Sequence, residues 1–428
     1  MATQHAQLAK WKDALLPHVV DRLADIKGQE TYAEYPVSSV SYDEGFRTIT
    51  WREFANAING AAQWLSTTLG LSTNHEVLTY IGPNDIRYIV LILGAVKAGY
   101  VMFLTSPRNS IAAHKKLFER LKCTKLLSPD PKPPTVNPIL EEVPEVQHIA
   151  VPTLEYLLEQ DHPHYEYNKT FEQARSEPLM IIHTSGSTGF PKPLTYTHET
   201  GARNMNMHAL DPPAGFQSTD KLIEGKSVLN CFPPFHGAGL VSHLFRAIPF
   251  GTVLIAPLSG VIPTAQGVFY ALHQSTADAA FLVPSIVLEL SQDASLLDYC
   301  SRHLERCLYA GGDLPQAVGD KVAAKLPLIC QYGASEIGLT PEILPDAAGP
   351  FDWKYIHLHP SLGIEHREIT PGNYELYVKH DPTKEQFQPT FTIFPVLRSM
   401  EAVICSSLTL RYPTCGPGVH ALTISLSS

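Results

Sequence analysis

Ile181-Ile182-His183-Thr184-Ser185-Gly186-Ser187-Thr188-Gly189-Phe190-Pro191-Lys192 is the stretch on which the reading of this chain turns. An apolar run, Leu179 to Ile182, precedes a loop of hydroxyls and glycines that ends in a lysine, the order expected of a buried strand opening into a loop. Gly186 and Gly189 let backbone N–H groups approach phosphate oxygens closely. Thr184, Ser185, Ser187 and Thr188 add neutral donors, and Lys192 adds a mobile positive charge. The Walker pattern G-x-x-x-x-G-K-[ST] does not fit, because Phe190 and Pro191 separate Gly189 from Lys192 and Pro193 follows it. A plain Ser/Gly surface loop would not need a lysine set between two prolines.

Working outward, strand and helix patterns alternate. Trp51 to Leu69 carries Phe54, Ile58, Ala61, Ala62 and Leu65 at helical spacing. Val77 to Ile81 reads as a strand, followed by a turn at Gly82–Asp85 and a helix from Ile86 to Ala98. A strand through Val101 to Leu104 and a helix from Ala112 to Leu121 come next. Ser128 to Pro138 is proline-rich and reads as a surface connection, and the polar, aromatic stretch Gln160 to Arg175 leads into the loop. Ser227–Cys231, Val253–Ala256, Ala280–Val283 and Leu328–Gln331 read as buried strands. This rhythm predicts a layered α/β fold with largely parallel strands.

The chain has 428 residues, enough for a large core and more than one ordinary domain. Hydrophobic residues make up 44% and charged residues 17%, the balance of a globular protein. The net charge is −10 and no basic run stands out, which argues against nucleic acid or an anionic membrane as partner. The seven cysteines are scattered and form no C-x-x-C pair, which points to a reducing compartment, hence the cytoplasm. Ile86 to Leu104 is long enough to span a membrane but contains Arg87, Lys97 and two glycines, so a core helix followed by a core strand is expected instead.

Three further stretches carry chemistry. Phe232 to Leu240 reads F-P-P-F-H-G-A-G-L, with His236 either gating an acyl pocket or serving as a core histidine bonded to a backbone carbonyl. Leu308 to Pro315, L-Y-A-G-G-D-L-P, holds a glycine pair that by itself is only a turn. Gln331 to Gly338 reads Q-Y-G-A-S-E-I-G, in which Tyr332 and Glu336 taken singly would be structural.

In this order and spacing the motifs resemble those of the adenylate-forming superfamily: acyl-CoA synthetases, luciferases and adenylation domains of nonribosomal peptide synthetases. That superfamily's loop reads T-S-G-[ST]-T-G-x-P-K-G, and here Pro193 stands in place of the last glycine. The P-K-P form is similar to that of fungal adenylate-forming reductases, which join an adenylation domain to a carrier domain and a reductase. Phe103 to His114, F-L-T-S-P-R-N-S-I-A-A-H, resembles a segment typical of the same group.

The resemblance implies the large N-terminal lobe of that fold over residues 31–395, with layered α/β subdomains and a distorted β-barrel portion, after an N-terminal extension at 1–30. It implies that Thr184, Ser185, Gly186, Ser187, Thr188, Gly189 and Lys192 cradle the phosphates of ATP. Ala310, Gly311 and Gly312 would line adenine, and Gln331, Tyr332, Gly333, Ala334 and Ser335 would complete the nucleotide site. Tyr332 offers a flat stacking face, Ser335 a hydroxyl for the α-phosphate, and Glu336 a hard carboxylate for Mg²⁺. Lys192, His236 and Glu336 are the implied catalytic residues. The implied reaction is attack of a small carboxylic acid on the α-phosphate of ATP, giving an acyl-adenylate and pyrophosphate. Phosphopantetheine would belong only to a carrier domain absent from this chain, acting in trans. A stand-alone acyl- or aryl-CoA ligase and a catalytically dead binding lobe are the competing readings.

Past Phe394 the resemblance stops. The family continues with a ribose-binding aspartate, an R-x-D-D-type hinge and a small lobe bearing a catalytic lysine, and residues 396–428 match none of these. Codons permitted by Met400 to Ser428, read two nucleotides out of phase, can spell R-D-L-F-[IV]-P-H-P, then D-L-W, then R-A-D-D-I-I-V. The expectation is therefore an aberrant tail from a frameshift, an unremoved intron or a gene-model error, a missing small lobe, and impaired adenylation.

Overall fold

The computed structural model describes residues 11–184, 190–370 and 373–397, together with the backbone of Ser399–Ala402, Leu408–Thr409 and Leu422–Ile424. Two large sheets organise it. The first runs in the order Leu328–Cys330, Arg306–Tyr309, Ala279–Leu282, Ser227–Asn230, Val253–Ile255, Thr31–Pro36 and Phe46–Thr50, parallel except for its last pair. The second runs Gln147–Ala150, Lys125–Ser128, Val77–Tyr80, Val101–Leu104, Pro178–His183 and Pro193–Thr197, again parallel except for its last pair. Strands such as Val101–Leu104 and Ala279–Leu282 are buried at every position, because helices cover both faces of a parallel sheet.

The helices form for local reasons and pack through small residues. Trp51–Leu69 starts in a capping box: the Thr50 hydroxyl accepts from the Glu53 amide at 3.2 Å, and the Glu53 carboxylate accepts from the Thr50 amide at 2.8 Å. Phe54, Ile58, Ala61 and Leu65 then form its buried stripe, at the spacing expected. Arg87–Lys97 crosses it so closely that a Cβ on Gly94 would sit 2.8 Å from that of Ala61. Lys97, the charge that argued against a membrane span, is neutralised inside the fold by Asp21 at 2.8 Å. Among the described residues no helix is long and apolar enough to cross a membrane.

Three features differ from the pattern expected of the sequence. The segment before residue 31 is built into the core: Leu16–Ile26 is helical, and Trp11, Leu15, Leu16, Val19 and Val20 are buried. The proline-rich connection is shorter than expected, because Val136–Glu142 turns into a helix that buries Val136 and Ile139. The strand leaving the glycine-rich loop, Pro193–Thr197, folds back antiparallel on Pro178–His183. Beyond residue 333 the described strands form small antiparallel sheets, the largest being Ile364–Thr370, Asn373–Lys379 and Ser399–Ala402. Residues 396–428 fall largely outside the described residues.

Candidate active site

Every motif singled out in the sequence leaves the carboxyl end of a strand. The loop at 184–192 follows Pro178–His183, the F-P-P-F-H turn follows Ser227–Asn230, the glycine pair follows Arg306–Tyr309, and Gln331 follows Leu328–Cys330. In open α/β sheets this is where ligands bind, since the strand ends and the turns beyond them leave a crevice.

The glycine-rich loop is pinned at its base. The Thr184 amide donates to the Lys192 carbonyl at 3.0 Å, and the Lys192 amide donates to the Thr184 hydroxyl at 3.2 Å. Lys192 is exposed and makes no ion pair among the described residues. Ser185, Gly186, Ser187, Thr188 and Gly189 lie outside the described residues.

Across from it, Gly333–Ala334 and Gly338–Leu339 pair as a tight antiparallel hairpin that carries Ser335 and Glu336 on its loop. The Tyr196 hydroxyl, on the strand that starts immediately after Lys192, donates to the Ser335 carbonyl at 2.7 Å. The Glu336 carboxylate is near enough to push up the hydroxyls of Tyr196 and Tyr332, in both cases after burial, and no ion pair engages it among the described residues. A free cation and a free hard carboxylate thus share one framework. That donor set fits a polyphosphate with its divalent cation.

At the other end, Gly311 adopts φ +98° with open space where a Cβ would stand, so Ala310 to Gly312 form a bare ledge. The Gln331 amide donates to the Tyr309 carbonyl at 2.8 Å, which sets the next turn beside that ledge. Tyr332 is only 6% exposed, packed with Ile337, Ile356 and Phe391, so most of the ring face expected to stack on adenine is covered by protein. Two buried polar groups here lack partners among the described residues, the Gln331 Nε2 amide and the Tyr332 hydroxyl, as a polar ligand edge would require.

His236 begins the short helix Gly237–Leu240. His236 keeps an exposed edge, while the surrounding protein lowers its pKa, burial first and His183 second, which favours the neutral imidazole at pH 7. The turn before it is held by a close approach: a Cβ on Gly239 would meet the Pro233 carbonyl oxygen at 2.1 Å. Gly239→Ala should therefore cost about 1–3 kcal/mol of stability, read as a lowered melting temperature, because the facing backbone of Phe232 and Pro233 cannot give way cheaply. A cavity of ≈ 280 Å³ lies against Phe235, lined also by Asn84, Asp85, Arg108, Asn230 and His243.

Beneath the Gln331 turn is a buried charge cluster that sequence reasoning did not find. Arg246, 1% exposed, lies 2.8 Å from Asp220 and donates to the Gln331 side-chain oxygen at 3.1 Å. His208 approaches Asp220 at 3.1 Å, and the Glu342 carboxyl accepts from the Tyr332 amide. Burial opposes ionisation of Asp220, but Arg246 and His208 hold it below the usual carboxylate range. Burial pushes Glu342 well up, with Arg246 opposing, so one cation meets one anion. An arginine inside the apolar run 240–250 was the available signal, since such a charge needs a partner. Also unassigned from the sequence was His183, which directly precedes Thr184.

A family model described as "AMP-binding enzyme" matches residues 28–389. An isocyanide synthase–NRPS hybrid of Aspergillus fumigatus is 29% identical over 407 residues, covering 94% of this chain and 26% of that protein. A carboxylic acid reductase of Neurospora crassa is 31% identical over 318 residues, covering 73% of this chain and 29% of that protein. The chain thus spans between a quarter and a third of the length of these curated relatives. Among solved structures, O-succinylbenzoate coenzyme A synthetase of Bacillus subtilis in complex with ATP and magnesium ion superposes with a TM-score of 0.65 at 16% identity, over 87% of this chain and 70% of that one.

Proposed function

The chain belongs to the AMP-binding enzyme family, and from that premise we propose that its crevice activates a small carboxylic acid with ATP. The products are an acyl-adenylate and pyrophosphate, in the manner of the adenylation part of a reductase-type synthetase. The observation that carries the reading is the Tyr196–Ser335 hydrogen bond of 2.7 Å, which ties the hairpin bearing Glu336 to the strand that begins after Lys192. A lysine and a carboxylate held on joined elements serve the two ends of one polyphosphate. Lys192 binds phosphate oxygens and offsets the charge that builds as the substrate carboxylate attacks. Glu336 would hold Mg²⁺, whose charge neutralises the phosphates. Ala310 to Gly312 and Gln331 would receive the purine, and neutral His236 would separate the nucleotide from the acid without adding a competing cation. No protein nucleophile is required, so positioning and charge account for the rate.

The cavity beside Phe235 is the candidate acid pocket. Asp85 is the carboxylate in its lining among the described residues, and it is taken by Arg87, which approaches at 2.6 Å. An amino group would find no free counter-charge there, which favours acids without one. Transfer of the acyl group to a carrier domain supplied in trans, and a cytoplasmic location, are parts of the same proposal.

Acid-dependent exchange of labelled pyrophosphate into ATP tests the reading. Lys192→Ala is expected to lower exchange by about 10- to 100-fold. Exchange that needs no acid, or that survives the substitution unchanged, overturns it. A nucleotide-dependent thermal shift without any exchange would favour a binding lobe instead.

A further inference from the structure

We propose that residues 105–116 grip the nucleotide loop at both of its shoulders and so act as positioning residues for ATP. The grip holds His183 at the entry through Ser106 and Asn109, and Phe190 at the exit through Lys116. The proposal rests on the function proposed above for the same crevice.

At the entry, His183 Nε2 lies 3.1 Å from the Ser106 amide nitrogen and 3.1 Å from Asn109 Nδ2. Its Nδ1 lies 2.8 Å from the Thr184 carbonyl oxygen. A backbone amide can only donate and a carbonyl can only accept, so the ring is neutral with its proton on Nδ1. His183 therefore accepts from residues 106 and 109 while donating to the first residue of the loop. The Asn109 side-chain nitrogen also donates to the Thr105 hydroxyl at 3.2 Å, and that hydroxyl lies 3.2 Å from His114 Nδ1. Both hydrogens of the Asn109 amide are thus spent inside one network. It runs from the end of Val101–Leu104 into the helix Ile111–Leu121 and across to the loop.

At the exit, the Lys116 ammonium, on that same helix, sits 3.3 Å from the centre of the Phe190 ring. Phe190 is 43% exposed, so burial does not account for its placement, whereas a cation over the ring face does. Phe190 and Lys192 are separated by one proline, whose fixed φ passes the position of the ring to the lysine. Between the shoulders the loop base is already closed by the two Thr184–Lys192 hydrogen bonds. One rigid segment therefore sets both ends of the loop, and nucleotide binding has less ordering to accomplish.

Lys116→Ala and Asn109→Ala test the grip by two readouts in the full chain. The first is hydrogen exchange, without nucleotide, of peptides carrying Thr184 and residues 190–192. Both variants should exchange faster there than the native chain and no faster in the distant Trp51–Leu69 helix. The second is the pyrophosphate exchange assay: KM for ATP should rise about three- to tenfold for Lys116→Ala, the size of one cation–π contact, with KM for the acid unchanged. Lys116→Arg keeps a cation over the ring and should restore both values. Native hydrogen exchange in both variants, or an equal rise in both KM values, overturns the proposal. A native chain that binds no ATP would sink the function proposed above, and the hydrogen-exchange comparison alone would then decide the grip. Lys116 is exposed, so its variant tests the idea even if Asn109→Ala fails to fold.

Discussion

Asp220→Ala is expected to lower the free energy of unfolding by about 3–5 kcal/mol, the usual effect of stripping one partner from a buried ion pair. Asp220 and Arg246 are 6% and 1% exposed, and they meet at 2.8 Å. Without the carboxylate, the guanidinium keeps the Gln331 side chain and the face of Phe281, 5.6 Å away, neither of which carries charge, and must draw counter-charge from Glu342, whose ionisation burial opposes. His208 loses its partner in the same step. Since whole domains are stable by only about 5–15 kcal/mol, this single change should leave the variant near its folding threshold. Urea denaturation measures it. The double variant Asp220→Ala/Arg246→Met should recover much of the loss, because an apolar replacement removes the unpaired charge along with the hole it would leave. A single variant within 1 kcal/mol of the native chain would show that water, rather than Asp220, solvates Arg246. The consequence reaches function, because Arg246 holds Gln331 and Glu342 holds the Tyr332 amide, the turn expected to face the purine.

Mild acid should destabilise the fold by roughly 4 kcal/mol between pH 6.5 and 5. Burial drives His114 and His243 down to about 4 and His198 down to about 3, with charge from His183 adding at His114 and from Lys169, His75 and His18 at His198. Each is 5% exposed or less. In the unfolded chain these rings take up protons near pH 6.5, while in the folded chain they stay neutral. Between those values the unfolded state binds more protons, so stability is complete above pH 6.5 and falls as pH falls. Each ring contributes about 1.4 kcal/mol per pH unit through this window. Glu342 works the other way: burial raises it, so it is protonated in the fold where the unfolded chain would ionise it, and it offsets at most one histidine. Urea midpoints at pH 7 and pH 5 provide the measurement, and equal midpoints would refute it. His243→Gln should flatten the slope by about one third to one half, since the three rings act alike in this range and Glu342 offsets at most one of them.

The strands were readable because parallel strands covered on both faces must be apolar at every position. Ser227–Asn230 and Val253–Ile255 stand within one residue of where their apolar runs lie. Trp51–Leu69 was readable because its apolar residues fall in a 3.6-residue stripe, and the structure adds a Thr50–Glu53 capping box at its start. Pro193–Thr197 was not, since a strand beyond the loop could pair in either direction and only packing chose the antiparallel one. The helix Leu16–Ile26 was passed over although it has an apolar face, because nothing in its own sequence says which surface will receive Trp11 and Val20.

The site divides along the same line. Thr184, Lys192, Gly311 and Glu336 stand out in the sequence, because the roles proposed for them, in a phosphate cradle, a bare ledge and a metal carboxylate, depend on residue type and short spacing. His208, Asp220, Arg246 and Glu342 do not, because their partners lie 10 to 85 positions away and no local period marks them. The same holds for Lys116 over Phe190 and for Ser106 and Asn109 around His183. By itself the sequence determined that this chain builds a parallel α/β core and carries the chemical groups proposed here for a nucleotide site. Tertiary structure decided which of those groups are held, paired or left free, because charge pairing and burial are properties of places where distant segments meet.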